Sequence, residues 1–110
     1  MQNTRLQALS KMMTNVADRI KLTLNVTPLV GISHKMRAMG IPADTITIDC
    51  LKSNKRILIV LHDKQPYTVN YQYMFVGTDP NNEFVQIDNE NLSEESLFSI
   101  IANYLYKDFQ

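Results

Sequence analysis

The chain predicts an α+β domain of order α-α-β-β-β-β-α, a four-stranded, mainly antiparallel sheet packed by N-terminal and C-terminal helices. Three observations lead there. Leu6, Leu9, Met13, Val16, Ala17, Ile20 and Leu24 recur at spacings of three and four, the apolar stripe of a helix. From Thr45 onward the period drops to two. Then Ile57-Leu58-Ile59-Val60-Leu61 is apolar at all five positions, and a strand of that kind requires cover on both faces.

The first helix is expected from Thr4 to about Leu24, capped by Asn3 or Thr4. Asn25-Val26-Thr27-Pro28 breaks it. Thr27 before Pro28 reads as a cap followed by a first helical residue, because proline lacks only an N–H that would be orphaned there. A second helix is therefore expected from Pro28 to Met39, with Leu29, Ile32, Met36 and Met39 as its stripe and a stop at Gly40. Gly31 weakens that expectation, since glycine costs a helix about 1 kcal/mol against alanine.

Thr45 to Leu51 alternates as a strand with one wet face, and Lys52-Ser53-Asn54-Lys55 is a turn in which Asn54 can take a positive φ. A two-residue loop at Ser53-Asn54 pairs Cys50 with Ile57, Ile48 with Ile59 and Ile46 with Leu61, all on one face. Asp63 to Pro66 turns the chain again. Tyr67 to Val76 is a third strand with Tyr67, Val69, Tyr71, Tyr73 and Phe75 on one side. Gly77 to Asn82 is a loop, Glu83 to Asp88 a short fourth strand. A last helix is capped from Asn91 or Ser93 and runs to about Tyr106 on Leu97, Ile100, Ile101, Tyr104 and Leu105.

Which face the tyrosine stripe joins depends on one loop. If the four residues 63–66 close the second hairpin, Val69 lies opposite Val60 and Tyr71 opposite Leu58, on the side away from the first hairpin's core. An odd loop, or a bulge near Pro66, turns the stripe into the core instead. The first register leaves Leu58, Val60, Tyr67, Val69, Tyr71 and Tyr73 as candidate interface residues. An apolar and aromatic patch of that kind marks a contact surface, and a symmetric pair is the commonest soluble assembly.

At 110 residues, 45% hydrophobic and 20% charged, the chain is one ordinary domain over residues 1–110. No run approaches the roughly 20 apolar residues that span a bilayer, and Met1 to Lys11 has no signal-like core. Cys50 is the one cysteine, which suits a reducing compartment. A soluble cytoplasmic protein with no membrane partner is expected. The zero net charge conceals a partition: residues 1–60 carry nine Lys and Arg against three acids, residues 61–110 two against eight.

Chemistry-bearing patterns are sparse. Cys50 and His62 fall on opposite strand faces and roughly 17 Å apart, beyond the reach of a nucleophile and its base. Two histidines and one cysteine give no zinc spacing. The oxygen-rich stretches 79–83 and 88–91 lack the order and glycine of a calcium loop. Gly31, Gly40 and Gly77 are scattered, so there is no phosphate-binding loop. No cofactor or metal is expected, and no catalysis.

The expectation is a small non-catalytic protein-interaction domain, an adaptor, chaperone-like cofactor or inhibitor, homodimeric through a sheet face. Six methionines and the charge partition accord with a contact role. The alternative is a nucleic-acid-binding module using Lys35 and Arg37 on the second helix with Lys55 and Arg56 at the hairpin tip.

Overall fold

A computed structural model describes residues 4–106. It is an α+β structure with one open antiparallel sheet of five strands and three helices. Helix α1 (Thr4–Leu24) turns Leu6, Leu9, Met13, Val16 and Ile20 inward, the stripe its spacing predicts. The expected cap at Asn3 lies outside the described residues. Strand β1 (Leu29–Ser33) and the four-residue helix α2 (Lys35–Ala38) follow. Strands β2 (Ala43–Cys50), β3 (Lys55–His62), β4 (Thr68–Phe75) and β5 (Val85–Asp88) then run as a meander, in sheet order β1-β2-β3-β4-β5. Helix α3 (Glu94–Leu105) closes the fold.

Three expectations are corrected. The helix expected over Pro28–Met39 is an edge strand and one short helical turn, so the sheet has five strands rather than four. Val30 and Ile32 point to the helix-covered face beside Ile48 and Ile46, Val30 packing against the core, and those cross-strand contacts outweigh a helical stripe interrupted by Gly31. A side-chain carbon at Gly31 would lie 3.1 Å from Thr47 Oγ1, so β1 approaches β2 closely at that residue. The expected stop holds: Gly40, at φ 88°, ends the turn of helix.

The first hairpin slips by two residues. Its turn is Leu51–Asn54, with Asn54 at φ 60°, and the pairs are Cys50–Lys55, Ile48–Ile57 and Ile46–Ile59. A slip of two preserves every face, so the expected core set is intact.

The second hairpin decides the tyrosine stripe. Ile59 pairs with Tyr71 and Ile57 with Tyr73, while Leu58 pairs with Gln72 and Val60 with Asn70. Five residues, 63–67, separate β3 from β4, an odd number that reverses the faces expected from a four-residue loop. Val69, Tyr71 and Tyr73 therefore share the helix-covered face with Ile57 and Ile59. Leu58 and Val60 look the other way.

The core lies between that face and the two long helices: Ile46, Ile48, Ile57, Ile59, Leu61 and Val69 meet Met13, Val16, Ile20, Leu97, Ile101 and Leu105. Ser93 caps α3 through a capping box closed by Ser96. On the outer face, Leu58 is only 8% exposed. Beside it, Gln72 is pinned at both ends of its amide. Its Nε2 donates to the Asn81 carbonyl (3.0 Å) and its Oε1 accepts from the Asn81 N–H (3.1 Å), which folds the 76–84 loop back onto the sheet. At Leu58 the central strand is thus shielded on both faces by its own chain.

Candidate interaction surface

Strand β1 ends the sheet, hydrogen-bonded to β2 along one side only. In an antiparallel strand, alternate residues direct both N–H and C=O to one neighbour and the residues between direct theirs to the other. Half of the backbone groups of β1 therefore point outward without a strand to receive them. The strand itself, Leu-Val-Gly-Ile-Ser, carries no charge and no proline, and four of its five residues are exposed. Natural sheets blunt their edges with Lys, Pro, bulges or inward charges, none of which occurs within these five residues. Leu29 and Ile32 are about half exposed, and Met39 and Ile41 add apolar surface in the connection that follows.

A polar cluster anchors the end of this edge. Asp44, 1% exposed, accepts hydrogen bonds from Arg37 Nε (3.1 Å) and Nη2 (2.8 Å), and its Oδ1 lies 2.7 Å from His34 Nδ1. The same guanidinium binds Asp63 through Nη1 (2.8 Å) and Nη2 (3.0 Å). Hydrogen bonds from Arg37 hold the Asp63 carboxyl below the ordinary carboxylate range, and those bonds push the Arg37 guanidinium further up. The Asp63 N–H donates to the Pro42 carbonyl. On the same β3–β4 turn, Arg5 donates to the carbonyls of His62, Gln65 and Thr68 at 2.8–2.9 Å, and burial lowers its pKa.

His34 against Asp44 is a carboxylate-oriented imidazole, one part of an acid–base site. The adjacent Ser33 hydroxyl accepts from the Lys35 N–H rather than turning to the ring. Cys50 is buried at the far end of β2, roughly 20 Å along the strand. Burial, with the Cys50 thiol alongside, pushes the Tyr106 phenol up. Among the described residues no group of three or more His, Cys, Asp or Glu could hold a metal ion.

The expected interface residues are divided by the fold. Leu58 is covered and Val60 floors an open groove of about 410 Å³ on the outer face, walled by His62, Lys64, Gln65, Asn70 and Phe84. Val69 is core; Tyr71 and Tyr73 pack edge to face at 5.7 Å, with Tyr104 stacked on Tyr73 at 4.4 Å. Burial raises the phenol pKa of Tyr71 and of Tyr104. Tyr67 stands outside the strand, 80% exposed.

The expected cations are likewise separated, Lys35 and Arg37 at one end of the β2–β3 hairpin, Lys55 and Arg56 at the other. Arg56 grips Asp49 through Nε (2.7 Å) and Nη2 (2.8 Å), which raises its pKa. Lys55 donates to the Tyr104 carbonyl and lies 5.2 Å from the centre of its ring. Lys35 is exposed. Arg19–Glu95 and Arg37–Asp63 pair the basic first half of the chain with the acidic second half.

The sequence reading missed the β1 edge and the Asp44–Arg37–Asp63 cluster. Val30 and Ile32, β-branched on either side of Gly31, were the local sign of a strand. Among the described residues no helix is long and apolar enough to cross a membrane. Family models, curated proteins and solved structures were each compared with the chain, and none matches it.

Proposed function

We propose that this domain is a small non-catalytic protein-interaction module, homodimeric, and that its contact is the open edge of β1 rather than a sheet face. One observation carries the reading: an uncharged, exposed strand whose outer backbone groups have no strand beside them. Strand addition at such an edge gains main-chain hydrogen bonds, with alternate side chains supplying selectivity. The rigid hold of Arg37 on Asp44 and Asp63 keeps the edge presented, which lowers the ordering cost of binding. Five residues make a short contact, and a reversible association follows.

Light scattering after size exclusion, over a wide range of loading concentrations, tests this. The wild-type mass should rise from one chain toward two. Ile32→Lys should hold the mass at one chain with an unchanged circular dichroism spectrum, because Ile32 is 49% exposed in the single chain and tolerates a polar end there. A dimer that ignores Ile32→Lys would place the contact elsewhere.

Nucleic-acid binding through Lys35, Arg37, Lys55 and Arg56 is the weaker reading, since three of these four are engaged within the chain. Retention on mixed DNA or RNA at low salt, falling steeply as salt rises, would favour it.

A further inference from the structure

We infer that the partner of β1 is β1 of a second copy, antiparallel, about a two-fold axis passing at Gly31, an arrangement that rests on β1 being the contact edge. Register follows from elementary constraints. Outward-facing groups belong to alternate residues, so in a two-fold antiparallel pair the numbers of facing residues sum to an even value. A sum of 60 brings in Pro28, which has no N–H to donate. A sum of 64 leaves Leu29 unpaired and draws in His34, which is held by Asp44. A sum of 62 pairs all five residues of the strand: Leu29 with Ser33, Val30 with Ile32, and Gly31 with itself.

Side chains agree with that register. Ile32 sits beside Ile46, Ile46 beside Ile59 and Ile59 beside Tyr71, one row on the helix-covered face. Val30 sits beside Ile48, Ile48 beside Ile57 and Ile57 beside Tyr73, the next row but running to the same edge. Pairing Ile32 of one copy with Val30 of the other joins the first row to the second, so an uninterrupted apolar row crosses both chains. Each such cross-strand pair of β-branched residues contributes, and the two-fold repeats it. Charge selects the same direction. An antiparallel pair sets Lys35 against the uncharged stretch Asn25–Pro28 of the other copy, whereas a parallel pair in register sets Lys35 against Lys35.

Single cysteines read the geometry directly. Facing residues have Cα atoms about 4.5–5.5 Å apart, within disulfide reach, while Leu29 and its own copy would be displaced by roughly 14 Å. Gly31→Cys should therefore give a covalent dimer under mild oxidation, and Leu29→Cys or Ser33→Cys alone should not. Because a side chain at Gly31 crowds Thr47, a second arm mixes Leu29→Cys with Ser33→Cys, and this mixture should cross-link as a heterodimer. The wild-type chain, whose single thiol is buried, serves as the blank. Homodimers from Leu29→Cys alone and from Ser33→Cys alone would overturn the antiparallel register yet keep β1 as the contact. An absence of any β1 cross-link at concentrations where light scattering gives a dimer would overturn both, as would a wild-type chain monomeric throughout.

Discussion

The two edges of the sheet are tied to the same turn by different chemistry. At the β1 side, Arg37 on α2 reaches Asp63, and the Asp63 N–H reaches the Pro42 carbonyl. At the β5 side the anchor is neutral: the Asn89 backbone N–H donates to the Tyr67 carbonyl and its side-chain amide to the Pro66 carbonyl. The edges differ too in what they present. β1 offers five uncharged residues; β5 offers four, Val85-Gln86-Ile87-Asp88, ending on a carboxylate and running straight into a turn of 3-10 helix. Four residues cannot all pair with their own copy, because an even sum leaves one out. Shortness and an edge charge are how natural sheets discourage self-pairing. On the proposed reading, the difference teaches that openness alone does not make an edge adhesive: both are exposed, and one is guarded.

The largest effect expected is on the anchors. Asp44→Ala removes a buried carboxylate that holds both His34 and Arg37. It should destabilise the domain by about 2–3 kcal/mol, below the full cost of breaking a buried pair because both partners reach solvent. Asn89→Ala, on the other side, should cost about 1 kcal/mol. Urea midpoints at neutral pH measure both. Equal losses would erase the distinction between a charged and a neutral anchor. The Asp44 variant should also dimerise less well, since His34 follows directly on the last residue of β1.

A smaller effect is expected from disarming the guarded edge. Gln86→Val with Asp88→Val removes the charge and makes β5 uniformly apolar. If charge as well as length protects it, light scattering should show mass beyond two chains, because each subunit then has two adhesive edges. A mass that stays at two chains would mean that length alone suffices.

Much of this fold was legible from the sequence. The spacing of Leu6 to Leu24 placed α1 from Thr4 to about Leu24, where it lies, and the hairpin, β4, β5 and α3 lay within two or three residues of their predicted bounds. What failed was non-local. Leu29, Ile32, Met36 and Met39 have a helical spacing, and only the presence of Ile46 and Ile48 alongside makes Val30 and Ile32 better placed in a strand. The face of Tyr71 turned on whether one loop held four residues or five, which no residue in Asp63–Tyr67 dictates. Asp44 and Asp63, 19 positions apart in the sequence, meet on one guanidinium only after three elements have packed.

The smallest effect is a change of slope with pH, and it belongs to one edge only. Hydrogen bonds from Arg37 depress the folded-state pKa of Asp63 relative to the unfolded chain, where a carboxyl of this type titrates near 3.9. A depressed carboxyl favours the folded state above the unfolded value, and the contribution disappears as pH falls through the folded value. Asp63→Asn should therefore lower the urea midpoint at pH 6, and the gap to wild type should close as the pH is taken below about 4. On the β5 side Asn89→Ala titrates nothing in this range, so its gap to wild type should stay level across the same series. Parallel curves for Asp63→Asn would mean that the carboxylate charge is not what Arg37 grips, and that the two anchors differ in strength alone.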